Sequence, residues 1–118
     1  MNDRVQEIVQ KIRKFRDERD WIQFHDPKNI AISITLESAE LLEHFQWKDK
    51  EEVEQYIHKY KAKIQDEIAD IAMYLFELSD NLDIDLLKSI ERKLKKNAKK
   101  YPVRKAKGKH TKYNKLSR

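Results

Sequence analysis

At 118 residues and 14.3 kDa, the chain has room for one domain, and a chain of this size buries only about two thirds of its unfolded surface, so a second copy can be needed to complete the core. It contains no cysteine, which excludes a disulfide framework and any thiolate metal site, and no apolar run approaches the roughly 20 residues of a membrane span. One glycine, two prolines and 40% charged residues predict an all-α fold, because sheets and tight turns need more chain-breaking residues. The N-terminus, "MNDRVQEIVQK", lacks a signal-peptide core, so a cytoplasmic protein is expected. The net charge of +5 is unevenly spread: residues 88 to 118 hold 14 Lys and Arg against one acid, whereas residues 1 to 87 hold 12 against 20. An acidic body carries a basic end.

Val5, Ile8, Val9, Ile12 and Phe15 recur at helical spacing and line one face of a helix from about Asp3 to Asp20. Asp26 followed by Pro27 reads as an N-cap with proline at the first helical position. It opens a second helix that carries Ile30, Ile34, Leu41, Leu42 and Phe45 and runs to about Phe45. Asp49 with Glu52 three residues on forms a capping box for a third helix. Its stripe, Val53, Ile57, Tyr60, Ile64, Ile71, Leu75 and Leu78, continues to about Asp80, with a break expected between His58 and Ala62. Asp83 is expected to cap a fourth helix bearing Leu87, Ile90, Leu94 and Ala98, and Pro102 ends it. Residues 1 to 103 are expected to form the helical domain and residues 104 to 118 a flexible basic tail.

The second helix repeats in the third. "ITLESAELL", residues 34 to 42, aligns with "IQDEIADIA", residues 64 to 72, so that Glu37 matches Glu67 and Glu40 matches Asp70. At about 100° per residue, Glu37 lies some 20° from Ile30 and 40° from Leu41, at the border of the apolar stripe. Antiparallel packing of the two helices brings the four acids together, with Ala39 and Ala69 small enough for close backbone approach. Four convergent carboxylates raise each other's pKa unless a cation neutralises them, and all-oxygen ligation suits Mg²⁺ or Mn²⁺. A di-iron site is disfavoured because no His has a Glu three residues before it. Glu37 also has Leu41 rather than a base at i+4, so a local ion pair does not account for it. Asp66 and Glu77 are read as ordinary surface.

"ESAE", then 26 residues, then "EIAD" resembles the Glu-x-x-Glu, spacer, Glu-x-x-Asp motif of the MazG-like all-α nucleoside triphosphate pyrophosphohydrolases. The likeness runs from about Ile8 to Val103, and "FRDERDWIQFHDPKNIAISITLESAELLEHFQWK" is most similar to the dCTP pyrophosphatase branch. The resemblance implies a four-helix bundle completed by oligomerisation as a homodimer or homotetramer. It also implies Mg²⁺ on Glu37, Glu40, Glu67 and Asp70, and cleavage of a (deoxy)nucleoside triphosphate between the α and β phosphates. Trp21 and Trp47 match base-pocket aromatics, His25 and Asn29 match polar groups near the nucleotide, and Tyr74 matches a ring beside the sugar. "KNAKKYP" resembles the motif that closes the last helix, which implies phosphate contacts from Lys96, Asn97, Lys100 and Tyr101. The basic end suggests a competing reading, a nucleic-acid-binding or regulatory helical protein. The acidic body and the lack of a recognition helix argue against it.

Overall fold

The computed structural model describes residues 3 to 116, and among these every regular element is helical. The chain divides between Ile84 and Asp85 into two compact units. The first contains α1 (Asp3–Glu18), α2 (Pro27–Glu43) and α3 (Lys50–Asn81), with a short 3₁₀ turn (Ile22–Phe24) between α1 and α2. The second contains α4 (Leu86–Lys100), α5 (Val103–Ala106) and a 3₁₀ turn (Tyr113–Lys115).

The helix starts follow their caps. The Asp26 side chain accepts from the Asn29 amide with Pro27 at the first helical position, and Asp49 and Glu52 close a reciprocal capping box. Asp49→Ala is expected to lower stability by about 1 kcal/mol, read as a shift in the urea midpoint at unchanged slope. The break expected in α3 falls at Tyr60, whose backbone is non-helical (φ −118°, ψ 27°).

The helix ends depart from expectation. α1 stops at Glu18, because Asp20 turns left-handed (φ 54°) while the amides of Asp20 and Trp21 donate back to Asp17 and Arg16. The same closure ends α3: Asp83 (φ 55°) and Ile84 donate to Asp80 and Ser79. Asp83 is therefore the left-handed residue of a Schellman closure and not the cap of α4. That role falls to Asp85, which accepts from the Lys88 amide at 3.1 Å. α2 ends at Glu43, two residues short of Phe45.

Three contacts set α2 and its lead-in antiparallel to α3: His25 with Glu77, Glu37 with Glu67, and His44 with Tyr56. α1 lies along the C-terminal half of α3, where Arg13 grips Asp80 in a two-point ion pair at 2.6 and 3.1 Å. Ile30 (1% exposed) and Ile64 (8%) are the buried apolar side chains of this unit. Leu42, Ile57 and Leu75, expected in the core, are exposed, as are Ile32, Leu36 and Ile68. Ile68 and Leu75, both beyond the break at Tyr60, fall within about 20° of one another around α3, so they form a line that the other helices of this unit do not cover.

Candidate active site

Glu37 comes from α2, and Glu67 and Asp70 from successive turns of α3. Each offers a carboxylate oxygen, and the three atoms lie within 4.8 Å of one another. Glu40, one turn beyond Glu37, is exposed and acts on Glu37 by hydrogen bonding and repulsion. Ala39 and Ala69 do not let the backbones approach as expected: both are exposed, because each lies about 200° around its helix from the first acid of its pair. No Lys or Arg forms an ion pair with any of the four acids among the described residues.

This electrostatic load is visible at Glu37. Burial, a hydrogen bond to Glu67, and the neighbouring charges of Glu40 and Asp70 together push its carboxyl up to about 7 from the usual 4.5. When the group is ionised, Glu37 Oε2 and Glu67 Oε2 are buried oxygens without a hydrogen-bond partner. Orphaned anionic oxygens at this spacing, with no basic side chain to pair them, fit a hard divalent cation.

Glu37 and Asp70 also line a cavity of about 540 Å³. Its walls include Ile8, Ile12, Phe15, Trp21, His25, Met73 and Tyr74. The rings are mutually packed: Trp21 meets Phe15 edge-on at 5.8 Å between centroids, and His25 meets Tyr74 at 6.2 Å. An apolar, partly aromatic chamber with carboxylates on its wall suits a flat ring joined to an anionic, metal-dependent group.

Of the residues singled out in the sequence, the structure brings Trp21, His25 and Tyr74 onto this wall with Glu37 and Asp70. Asn29 instead serves its helix start, its amide and side chain both donating to Asp26. Trp47 follows α2 with a left-handed backbone (φ 66°) and a ring 92% exposed. Lys96, Asn97, Lys100 and Tyr101 lie at the end of α4 in the second unit, where the Asn97 carbonyl accepts from the Tyr101 amide and the Lys100 ammonium sits 4.8 Å from the Tyr113 ring centre.

Glu77 corrects the surface reading: it is only 5% exposed. Its carboxylate accepts from His25 Nδ1 at 2.8 Å, and Arg16, itself 6% exposed, stands 3.6 Å away. A sequence signal for Glu77 existed, since it lies seven residues and two turns beyond Asp70 on the same face. Arg16 carried none, because it sits in a run of charged residues beside the apolar stripe of α1.

A model of the MazG-like family matches residues 32–116. The chain belongs to the MazG-like family. Among its relatives, dCTP pyrophosphatase 1 of Rattus norvegicus is 34% identical over 116 residues, covering 97% of this chain and 68% of the relative. The Homo sapiens protein of the same name is 32% identical over 114 residues, covering 95% of this chain and 67% of the relative. The crystal structure of a pyrophosphatase from Archaeoglobus fulgidus superposes with a TM-score of 0.82 at 40% identity, covering 86% of this chain and 95% of that one. The acids of this MazG-like chain thus sit in a shared all-helical scaffold.

Proposed function

We propose that this MazG-like chain is a nucleoside triphosphate pyrophosphohydrolase that cleaves between the α and β phosphates, releasing a monophosphate and pyrophosphate, with dCTP or a modified dCTP as its preferred substrate. The observation that carries the reading is the triad of Glu37, Glu67 and Asp70, with two orphaned oxygens, opening on a chamber sized for a base and sugar. The similarity to dCTP pyrophosphatase 1 and to the Archaeoglobus fulgidus pyrophosphatase supports it.

Glu37, Glu40, Glu67 and Asp70 would hold Mg²⁺, which when bound offsets phosphate charge and acidifies water. The chain's own residues supply the rest. Ile8, Ile12 and Met73 give the cavity that Glu37 and Asp70 line an apolar wall. Trp21 and Tyr74 flank the base and sugar, and the acid cluster provides a carboxylate to accept the proton of the attacking water.

Trp47 is assigned to the base pocket. A bulky residue in left-handed backbone with its ring displayed to solvent contributes little to the packing of its own chain. Trp47→Ala is therefore expected to leave the unfolding free energy within about 0.5 kcal/mol of wild type. It should weaken nucleotide binding by roughly 1 to 3 kcal/mol, the scale of base–aromatic stacking. Calorimetric titration of wild type and Trp47→Ala reads this directly, and equal affinities with and without the ring would remove Trp47 from the site.

The exposed Ile57, Ile68 and Leu75 on α3 and the exposed Ile32 and Leu36 on α2 support a homodimer or homotetramer in which a second copy covers these side chains. Among the described residues no helix is long and apolar enough to cross a membrane. The decisive experiment incubates the purified protein with Mg²⁺ and a panel of ordinary and modified dNTPs and measures monophosphate and pyrophosphate. Monophosphate with pyrophosphate is the expected product pair, and release of inorganic phosphate instead, or no turnover on any member, overturns the reading.

A further inference from the structure

Glu77 and Arg16 are the two charged side chains that the first unit buries most deeply, and the proposed chemistry uses neither. They form a chain of contacts ending in the cavity. Arg16 donates through Nε to Asp17 at 2.9 Å and through Nη1 to Asn81 at 2.9 Å, and the same Nη1 lies 3.6 Å from Glu77. Glu77 in turn receives His25 Nδ1 on both oxygens, at 2.8 and 3.0 Å. Asn81 Nδ2 closes the loop onto the His25 carbonyl at 3.5 Å.

Burying an ion pair is a poor route to stability, since desolvation offsets most of the attraction and apolar residues of similar size do as well or better. What this arrangement does supply is direction. A carboxylate on Nδ1 fixes that nitrogen as a proton donor and holds the imidazole in one orientation, so Nε2 is left as the ring's free polar atom. His25 lines the cavity between Trp21, 6.1 Å away, and Tyr74. Glu77 lies two turns, about 10.5 Å, beyond Asp70 along α3, a separation comparable to that between a nucleotide's phosphates and the polar edge of its base.

We propose that Glu77, charge-balanced by Arg16, is a positioning residue that holds His25 with Nε2 toward the edge of the bound nucleobase, and that this pair sets which base the enzyme prefers. The inference deepens the pyrophosphohydrolase reading and rests on it for the orientation of the nucleotide. A site built to hydrogen-bond one base edge rejects others because its polar atom is then left unpaired. A loosened imidazole loses that selectivity while the acid cluster is untouched.

The test measures binding of dCMP, dTMP, dAMP and dGMP by calorimetry, which needs no turnover, alongside hydrolysis of the four triphosphates. Wild type is expected to discriminate among the bases. Glu77→Gln and His25→Ala should each lower the ratio of weakest to tightest Kd by about tenfold, and the double variant should lose no more than His25→Ala alone. Because stripping one partner from a buried pair can unfold a protein, Arg16→Gln/Glu77→Gln, which removes both charges, is measured as well and should show the same loss. A purely structural role predicts a lower Tm with the ratio among bases unchanged, and that result overturns the proposal, as do equal affinities for all four nucleotides in wild type. Normal hydrolysis with an unchanged ratio in the variants sinks the relay alone. Base discrimination without hydrolysis sinks the enzyme reading alone and leaves the relay standing.

Discussion

Asp70→Asn is expected to lower kcat by roughly a thousandfold, the equivalent of about 4 kcal/mol of transition-state stabilisation, with helical content unchanged. Asp70 is one of three side chains whose oxygens converge within 4.8 Å, and its charge is one of those that raise the Glu37 carboxyl. The amide keeps the shape but removes one anionic ligand from a site that has no basic partner, so both cation affinity and charge balance around the phosphates are lost. Removing one repelling charge relieves the cluster, so in metal-free buffer the variant should melt no lower than wild type. Circular dichroism, steady-state kinetics and Mg²⁺ titration separate these effects. An Asp70→Asn protein with near-normal Mg²⁺-dependent turnover would falsify the carboxylate site.

The second large effect couples metal, pH and stability. The Glu37 carboxyl is held up to about 7 in the folded chain against 4.5 ordinarily, first by burial and then by its acidic neighbours. A carboxyl whose folded pKa lies above its unfolded value favours folding below about pH 4.5, and that contribution disappears as pH rises through about 7. Every other ionisable group of the chain adds its own pH dependence to the measured stability. The comparison must therefore be with Glu37→Gln. In metal-free buffer the Tm of wild type minus that of Glu37→Gln is expected to fall steadily between pH 4.5 and 7. Saturation with Mg²⁺ at a hundred times its Kd should then stabilise wild type at pH 7.5 by about 2.7 kcal/mol, or about 10 °C in Tm. The gain should shrink toward pH 5, where protons compete for the same oxygens. A Tm indifferent to Mg²⁺ at every pH would mean that these acids do not bind the ion.

Much of this architecture is written locally. Asp26-Pro27 and the Asp49/Glu52 box specify helix starts because each satisfies amides that the first helical turn leaves unpaired. The repeat of Glu37 and Glu40 in Glu67 and Asp70 identifies an acid cluster because the 3.6-residue period puts each pair on one helix face. Asp83 shows the limit of such reading. Aspartate serves equally as an N-cap and as a left-handed closure, and the choice depended on which chain ends it met: the amides of Asp83 and Ile84 turn back onto α3, leaving Asp85 to start α4.

The sequence by itself determined the helical class, the caps of α2 and α3, a break in α3 between His58 and Ala62 and the repeated acid pairs, since each is a matter of spacing within one helix or of a residue and its next turn. Only the tertiary structure decided what the surrounding charges do. Glu77 and Arg16 look like two more members of a chain that is 40% charged: nothing within α1 marks Arg16 as buried, and within α3 only the shared face with Asp70 hints at Glu77. They become a pair only when Arg16 on α1, His25 before α2 and Glu77 on α3 are brought together in the wall of one cavity. The exposure of Ile57, Ile68 and Leu75 was decided at the same level, because a helix's apolar stripe records that something covers it, not whether the cover belongs to the same chain.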